Sequence, residues 1–495
     1  MSEWPGQLLV SVLALPVTGA ALCLPLHRIS DRVATAWTLL VTTVTCAGAF
    51  MVSVRVSHVG PFSHHLGGWL APWGIELRAD QFGALVGLAA PVFALVVFYG
   101  VRYSRHAVEA ARRGPYDALL LINLGGLLGF SFTGDLFNLF VFMELFSLSA
   151  YALVAYGKQK VAAAASFRYL VMGAFSSLLV LFSIGLLYQL TGTLNMADMA
   201  YRLADGVPHR PVVLAFGALA LGFMTKAAVF PLHLWLPDAH AAAPSPVSAI
   251  LSGLVVKMGI VGLIRTYDIF QGAGGVDLPT FNMGLSTLGA IAIVFGAVLA
   301  LIQDDIKLML AYSTVSNIGY IAVGLGLFNE SGLTGASIHI FNHAVIKAAL
   351  FLALGALTFR TGYRTVSDLR GIGRRMPITV GALSVAVISV VGVPPTAGFV
   401  TKWYLAVGAV AAARPLLAAT LVFSALVMLI YYLRIVNAFY FRPAVHEEVE
   451  RAVDPPLDML APVVLLSGAS LALGLIAQVP IGIALPGVMR LLGGG

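Results

Sequence analysis

Four lysines of this sequence lie inside long apolar runs: Lys226, Lys257, Lys347 and Lys402. A lysine at the centre of a membrane helix costs about 2.5 to 3.5 kcal/mol on insertion scales, so these residues are candidates for a function. Burial disfavours the charged ammonium and a nearby carboxylate favours it, so a buried lysine with a movable partner can bind and release a proton. The alternative is a side chain that merely reaches the lipid headgroups, and it applies best to Lys347.

Glu144 is the acidic counterpart of these lysines. It lies in the apolar stretch FNLFVFMELFSLSAYALVAY, with no other charged residue between Asp135 and Lys158. An unpaired carboxylate in such a run would be protonated or destabilising, so we expect Glu144 to pair with Lys226. A neutral glutamate that is hydrogen-bonded to a helix backbone is the alternative. Asp135, at the predicted outer end of the same helix, is expected to be a cap or a loop contact.

Two histidines and a lysine follow one another at intervals of four residues: His339, His343 and Lys347. On a helix these side chains share one face, and in an otherwise apolar run they are suited to pass protons along it. Histidines spaced by four also bind zinc, but such a site needs a third ligand, and the sequence has no HExxH motif. Cys23 and Cys46 form no CxxC pair, and no flavin, quinone or nucleotide fingerprint is present. We therefore expect neither a metal nor a cofactor.

The composition predicts the elements that position these residues. Of the 495 residues, 59% are hydrophobic and 10% are charged, whereas a soluble protein carries about 25% charged residues. This excludes a cytosolic enzyme, and the net charge of +7, spread over a long apolar chain, does not indicate nucleic-acid binding. Because about 20 apolar residues cross a bilayer as a helix, we expect an all-α integral membrane protein with about 14 transmembrane helices. Their approximate spans are 6–26, 34–54, 79–101, 116–132, 136–156, 166–190, 211–231, 246–268, 283–302, 308–328, 334–358, 378–402, 416–440 and 457–480.

Basic residues predict the orientation of these helices. Sixteen lysines and arginines fall in the odd-numbered loops, and seven fall in the even-numbered loops and the C-terminal tail. Since cytoplasmic loops carry the excess of basic residues, we expect a multi-pass protein of the cell (plasma) membrane with both termini outside. Arg168 and Arg434 lie at or in helix ends, where a snorkelling side chain explains them.

Two of the predicted helices are interrupted by proline. Lys226 is followed by four prolines within 20 residues, and Lys402 is preceded by Pro394 and Pro395. Interrupted helices in corresponding halves of a membrane protein indicate an ion site. The pentapeptides that end in the two lysines both fit GFxTK, so we expect two inverted five-helix repeats, helices 4–8 and 9–13, each with a broken helix. The predicted domains are 1–115 with helices 1–3, 116–270 with the first repeat, 280–440 with the second, and 441–495 with helix 14.

Further ionisable residues flank the apolar runs. His233, Asp238 and His240 lie just past the first break. They are candidates for the mouth of a proton path, although helix capping explains them equally well. Lys307 follows two aspartates in a predicted cytoplasmic turn, where we expect a local surface role or a contact at the entrance. The acidic cluster at 447–450 is expected to be a solvated loop.

Several stretches resemble the antiporter-like subunits shared by respiratory complex I, membrane-bound hydrogenases and Mrp-type multisubunit cation/proton antiporters. They are TGDLFNLFVFMEL, FPLHLWLPDAHAAAPSPVSAILSGLVVKMGI, AYSTVSNIGY, NHAVIKAALF and GVPPTAGFVTKW. The resemblance spans roughly residues 116–440, and LGGWLAPWGIEL and TGTLNMADMA are most similar to the D-type member of the Mrp antiporters. The family has a glutamate in its fifth helix and lysines in its seventh and eighth helices, which are matched here by Glu144, Lys226 and Lys257. Its eleventh-helix histidines are matched by His339 and His343, and its twelfth-helix exit residue is matched by Lys402.

The resemblance implies a proton-translocating subunit of a multisubunit monovalent cation (Na+)/proton antiporter, without catalysis of its own. Protons would move along a mid-membrane chain of Lys, Glu and His. The alternative is a proton-pumping subunit of a complex I-like NADH-quinone oxidoreductase or a membrane-bound hydrogenase. A third class, an independent transporter of a small solute, is disfavoured because the polar residues form a chain and not a pocket. The expected partners are other membrane subunits, protons, Na+ and the lipid bilayer, and not nucleic acid.

Overall fold

The computed structural model describes residues 4–157 and 159–493, and it confirms a nearly all-helical membrane protein. Lys158, which the orientation prediction counted, lies outside the described residues, as do residues 1–3 and 494–495. In the described part, eleven helices are long and apolar enough to span a membrane, and each coincides with a predicted span. The three other predicted spans, at 116–132, 211–231 and 378–402, coincide with helices that are more polar or broken.

The N-terminal part contains helices and one β-hairpin. Strands β1 (Phe62–His65) and β2 (Glu76–Ala79) pair antiparallel, and the loop between them begins with a 3-10 turn at Leu66–Gly68. The loop exposes Trp69 and Trp73. The helices of this part are α1 (Trp4–Ile29), α2 (Asp31–Val59), α3 (Gln81–Leu88) and α4 (Ala90–Ala107).

Two series of helices follow, and each contains one broken helix. The first is α5 (Ala110–Ser131), α6 (Leu136–Val154), α7 (Gln159–Thr191), the short α8 (Met196–Ala204), α9 (His209–Lys226), α10 (Trp235–Ala242), and α11 (Ser245–Ile250), which continues through a π-helical stretch (Leu251–Val255) into α12 (Val256–Phe270). The second is α13 (Leu278–Ile302), α14 (Ile306–Leu327), α15 (Glu330–Thr361), α16 (Pro377–Val391), α17 (Ala397–Ala411) and α18 (Pro415–Phe441). A 3-10 turn at Ile372–Arg374 precedes α16, and α19 (Glu447–Glu450), α20 (Leu457–Leu475) and α21 (Gln478–Leu491) complete the chain.

The helix breaks lie where proline predicts them, but the GFxTK pentapeptides do not mark equivalent positions. Lys226 is the last residue of α9, before the first break, whereas Lys402 lies in α17, after the second. Both series nevertheless run in the same order, with three long helices, a broken helix and one more helix. The two related halves at 116–270 and 280–440, and the domain boundaries drawn from them, remain a proposal that this order supports.

The helices that carry most of the ionisable residues lie at the centre of the protein. The apolar parts of α11–α12 and α15 are completely buried, while fewer than half of the residues in those of α1, α7 and α18 are buried. Charged side chains inside a membrane protein face the interior of the bundle, because lipid cannot solvate them. The fold thus surrounds Lys257, His343 and Lys347 with protein on all sides.

Gly259 sets the spacing between α12 and the end of α9. A Cβ atom at this position would lie 2.3 Å from the Ala227 N and 2.6 Å from the Phe223 O. We expect Gly259→Ala to lower the free energy of unfolding by about 1 to 3 kcal/mol, because two backbones must separate. At Gly284 of α13 no heavy atom lies within 4 Å of such a Cβ, so Gly284→Ala should be neutral or slightly stabilising. Unfolding midpoints of the purified full chain test this, and equal midpoints for the two variants would contradict it.

Candidate functional site

Lys226 lies at the C-terminal end of α9 and is buried against α6. Its Nζ donates to the Ser147 Oγ at 2.8 Å and to the Tyr151 OH at 2.9 Å. The Nζ also lies 5.6 Å from the centre of the Tyr151 ring. A positive charge is stabilised at the C-terminus of a helix, where the last carbonyl groups are unpaired. The break after α9 therefore creates an electrostatically suitable place for this ammonium.

Glu144 does not form the predicted direct ion pair with Lys226 in this structure. Its Oε1 accepts a hydrogen bond from the Ser177 hydroxyl of α7, and the carboxylate is only half-buried. Ser147, which accepts from Lys226, follows Glu144 by three residues and thus lies on the same side of α6. The predicted pair is replaced because each group has a hydroxyl partner, but Glu144 and the Ser147 partner of Lys226 lie on one face of α6.

Lys257 is completely buried near the junction of the π-helical stretch and α12. Its Nζ donates to the Ser252 carbonyl oxygen, inside the π-helical stretch. Such a stretch leaves carbonyl groups without their usual helical partners, and it often occurs at functional sites. The Ser252 hydroxyl in turn lies 2.8 Å from the Thr314 Oγ1 of α14. Lys257 is therefore connected to α14 through a single residue.

The predicted ladder on α15 is formed. The His339 and His343 rings stack with centroids 5.1 Å apart, and the His339 Nε2 lies 3.2 Å from the Asn317 Oδ1. Lys347 has no exposed surface, so the proposed snorkelling to the headgroups is wrong for it. Its Nζ donates to the Leu310 carbonyl oxygen at 2.8 Å and to the Ser313 hydroxyl. Neither ring nitrogen of the buried His343 has a hydrogen-bond partner among the described residues.

Lys402 lies at the second helix break, as Lys226 lies at the first. Its Nζ donates to the carbonyl oxygens of Val390 and Val391, at 3.1 and 2.7 Å, in the last turn of α16. The Nζ also lies 4.9 Å from the centre of the Tyr320 ring. The lysine thus belongs to one half-helix and neutralises the carbonyl end of the other. In both series an ammonium occupies the C-terminal end of the first half-helix.

A polar stripe on α14 connects these groups, and sequence reasoning assigned it no role. Its members are buried and recur every three or four residues, with one adjacent pair: Leu310 through its carbonyl, Ser313 with Thr314, Asn317 and Tyr320. Along the helix they contact, in order, Lys347, the Ser252 partner of Lys257, His339 and Lys402. The available signal was the helical spacing of small polar residues in AYSTVSNIGY.

The three residues predicted at a pathway mouth do not come together. His233 packs among aromatic rings, with Phe230 and Phe295 at 5.3 and 5.4 Å. Asp238 forms an ion pair with Arg168, whose side chain is exposed. Only His240 lies beside the site, since it stacks on Phe351 of α15 at 5.0 Å. Phe351 follows Lys347 by one helical turn, so only His240 is placed to serve the path.

Lys307 is buried and lies at an opening of the protein, so a local surface role for it is wrong. Its Nζ donates to the Ala243 carbonyl oxygen, at the end of α10. A cleft of about 390 Å³ reaches this point, and its lining includes Tyr103, Ser245, Lys307 and Arg364. A buried base beside an open cleft is suited to take up protons from water.

Two smaller expectations also have outcomes. Asp135 caps α6, since its Oδ1 accepts from the Asn138 N at 2.7 Å. Glu447 and Glu448 are solvent-exposed as predicted, although Glu447–Glu450 form a short helix. Across residues 4–157 and 159–493, no group of three His, Cys, Asp or Glu side chains is arranged to hold a metal ion.

The sequence is similar to known proteins over most of its length. The family model described as NADH:quinone oxidoreductase/Mrp antiporter, TM matches residues 133–428. The N subunit of the NADH-quinone oxidoreductase of Desulforudis audaxviator (strain MP104C) is 38% identical over 450 residues, which cover 87% of this chain and 88% of that protein. The putative antiporter subunit mnhD2 of Staphylococcus aureus (strain MRSA252) is 32% identical over 446 residues, which cover 90% of this chain and 88% of that protein.

Solved structures agree over almost the whole chain. A chain of the membrane-bound sulfane sulfur reductase, an archaeal respiratory membrane complex, superposes with a TM-score of 0.89 at 31% identity and covers 99% of both chains. A chain of the Mrp complex from Dietzia sp. DQ12-45-1b gives a TM-score of 0.87 at 27% identity, covering 99% of this chain and 98% of that one. The chain thus belongs to the NADH:quinone oxidoreductase/Mrp antiporter family, whose members are transport subunits of multisubunit membrane complexes.

Proposed function

We propose that this chain translocates protons along its buried chain of ionisable residues, as a subunit of a monovalent cation (Na+)/proton antiporter. The observation that carries the proposal is the α14 stripe, which contacts Lys347, His339 and Lys402 directly and Lys257 through Ser252. A structural role for one buried lysine is easily supplied by local hydrogen bonds. Several lysines in contact with one continuous polar stripe are better explained by transfer of a charge between them.

The lysines favour stepwise proton transfer because no carboxylate of the described residues forms an ion pair with them. Among the described residues, the Nζ atoms of Lys226, Lys257, Lys347 and Lys402 donate to hydroxyl or carbonyl oxygens and form no ion pair with a carboxylate. Two unit charges 4 Å apart interact by about 4 kcal/mol at an effective dielectric constant of about 20. A proton that arrives at one lysine therefore disfavours protonation of the next, and the charge moves in single steps.

The order of the groups along the path follows from their positions. Protons would enter from the cleft at Lys307, pass His240 and reach Lys347. From there the proton would pass Lys257, which is linked to α14 through Ser252, and the histidines of α15. The Asn317 amide then leads to Tyr320 and Lys402. The same chain conducts in either direction, and the cation and proton gradients across the membrane decide which.

Glu144 and Lys226 would couple this path to a neighbouring membrane protein. Glu144 is half-buried between α6 and α7, and Val141 and Leu148 beside it are exposed. A membrane partner on this face would bring its own charges close to the carboxylate. Because Ser147 and Glu144 share one side of α6, such a charge would change the stability of the Lys226 ammonium. Partners of this kind are supported by the complexes to which the relatives belong.

A redox-driven pump is the second candidate, and a specific observation favours it. The relative from Desulforudis audaxviator, which is named as part of an NADH-quinone oxidoreductase, is 38% identical over 87% of this chain. In that case the electron-transfer chemistry would reside in other subunits, and this chain would remain the proton path. For either candidate we place the chain in the cell membrane with both termini outside, because of its basic loops.

The test is cation-dependent proton flux in inverted membrane vesicles that contain the whole complex. We expect Lys226→Ala, Glu144→Ala and Lys402→Ala to lower the flux by about tenfold or more, as for loss of a positioned acid or base. Lys160→Ala, at an exposed position of α7, is the matched control and should keep the wild-type rate.

Each outcome has a defined meaning. Flux on addition of Na+ or K+, without any redox substrate, supports the antiporter. Flux that requires an electron donor supports the redox pump. If the three variants assemble and transport like the wild type, the buried charges are structural and the proposal is wrong.

A further inference from the structure

A second cleft, distinct from the proton path, lies at the end of the bundle where α13 and α18 finish. Its volume is about 350 Å³, and its polar lining is Asp304, Ser367, Arg370, Arg434, Asn437 and Arg442. Three guanidinium groups thus face one carboxylate. None of the three arginines has an ion-pair partner within 4 Å among the described residues, whereas Arg364 and Arg451 nearby are paired.

The walls of this cleft are held in place by the backbone. The Val366 N donates to the Asp304 O at 2.9 Å, and the Gly371 N donates to the Ala438 O at 3.0 Å. The Arg434 Nη1 donates to the Leu301 O at 3.0 Å, at the carbonyl end of α13. These bonds join α13, α18 and the loop before α16 into one rigid site. Among the described residues, the buried Arg434 Nε has no hydrogen-bond partner.

The cleft lies near one end of the apolar helices α13 and α18. Arg434 precedes the end of α18 by seven residues, which is roughly 10 Å along a helix. Exposed apolar side chains adjoin the lining residues in sequence: Ile302 precedes Asp304 by two positions, and Phe441 precedes Arg442 by one. The site therefore combines an excess of positive charge with an adjoining surface that suits acyl chains.

We propose that this cleft binds the phosphate of an anionic phospholipid. Arginines recognise phosphate through paired, charge-assisted N–H bonds, and basic pockets between membrane helices bind anionic headgroups. Arg370 and Arg442 are exposed and contact the phosphate, while Arg434, fixed to α13, forms the floor. Free phosphate offers the same anionic chemistry but has no acyl chains for the apolar border. Such a lipid fastens α18 to the loop before α16, next to the half-helix that Lys402 neutralises.

The experiment measures lipid binding to the full-length chain by native mass spectrometry, titrating phosphatidylglycerol, phosphatidylcholine and inorganic phosphate. We expect phosphatidylglycerol to bind tightest, and Arg370→Gln combined with Arg442→Gln to weaken it about thirtyfold, from the attraction of two surface arginines. Arg374→Gln combined with Arg375→Gln removes two exposed charges of the same loop outside the cleft and should leave binding unchanged. Unfolding midpoints in phosphatidylcholine show whether both double variants are folded.

Three results would overturn the proposal. Equal binding of phosphatidylcholine would show that acyl contacts alone hold the lipid. An equal loss in the Arg374 and Arg375 variant would show that the attraction is diffuse. Competition by inorganic phosphate that removes all preference for phosphatidylglycerol would assign the cleft to a free anion.

Discussion

Lys257→Met should lower the rate of proton translocation about a hundredfold or more while the complex still assembles. Loss of a positioned acid or base typically costs a factor of about a hundred to ten thousand. Lys257 has no exposed surface, and its Nζ reaches α14 through Ser252. A methionine fills nearly the same space without the ammonium, so the variant breaks the chain of proton carriers at its centre.

The stability of this variant separates a transport role from a structural one. A buried lysine in an apolar run is costly, so methionine should leave the free energy of unfolding unchanged or slightly higher. Lys160→Met, at an exposed position, is the control for the substitution itself. Flux in vesicles and the unfolding midpoint are measured on the same preparations. A variant that transports normally would exclude Lys257 from the path, and one that loses stability together with flux would make it a structural residue.

The membrane helices and the lysines inside them could be predicted from the sequence because both follow from free energies within a single apolar run. A run of about 20 apolar residues has few alternatives to a membrane helix, and a lysine inside it must be compensated wherever the helix lies. Proline likewise predicts the breaks after Lys226 and before Lys402, because it removes a backbone donor at a known position. The extra helix α21, at Gln478–Leu491, was not predicted, since proline and glycine interrupt its apolar pattern.

The partners of the ionisable groups could not be predicted, because they depend on which helices meet. Glu144 was expected to bind Lys226, yet Ser177 of α7 is its partner. Asp238 was expected near the path, yet it pairs with Arg168 of α7. Lys307 is buried only because its turn folds against the end of α10. Long-range contacts of this kind leave no periodic signal in one sequence.

The position of each lysine relative to its helix break also could not be predicted from the sequence. Both lysines end a pentapeptide that fits GFxTK, but the helix break follows Lys226 and precedes Lys402. What the halves share is spatial: an ammonium at the carbonyl end of the first half-helix. A short sequence match cannot reveal this, because Lys402 reaches its position from the opposite side of the break.

Lys402→Glu should be strongly destabilising, which follows from this arrangement. The ammonium of Lys402 donates to two backbone carbonyl oxygens at the end of α16, the negative end of that helix. A carboxylate there would face the same oxygens without a donor. Leaving an uncompensated charge in a fully buried site costs about 3 to 5 kcal/mol. Because Lys402 is only partly buried, we expect the free energy of unfolding to fall by about 3 kcal/mol, the lower end of that range.

Lys402→Met provides the comparison that isolates the sign of the charge. It removes the two hydrogen bonds but places no negative charge at the carbonyl end, so it should cost only about 1 to 3 kcal/mol. Acid buffer that protonates the new glutamate should recover part of the loss in Lys402→Glu, and it should leave Lys402→Met unchanged. Unfolding midpoints across pH test both statements. If the two variants are equally stable at every pH, the ammonium does not neutralise the end of α16, and the helix break needs no cation to be stable.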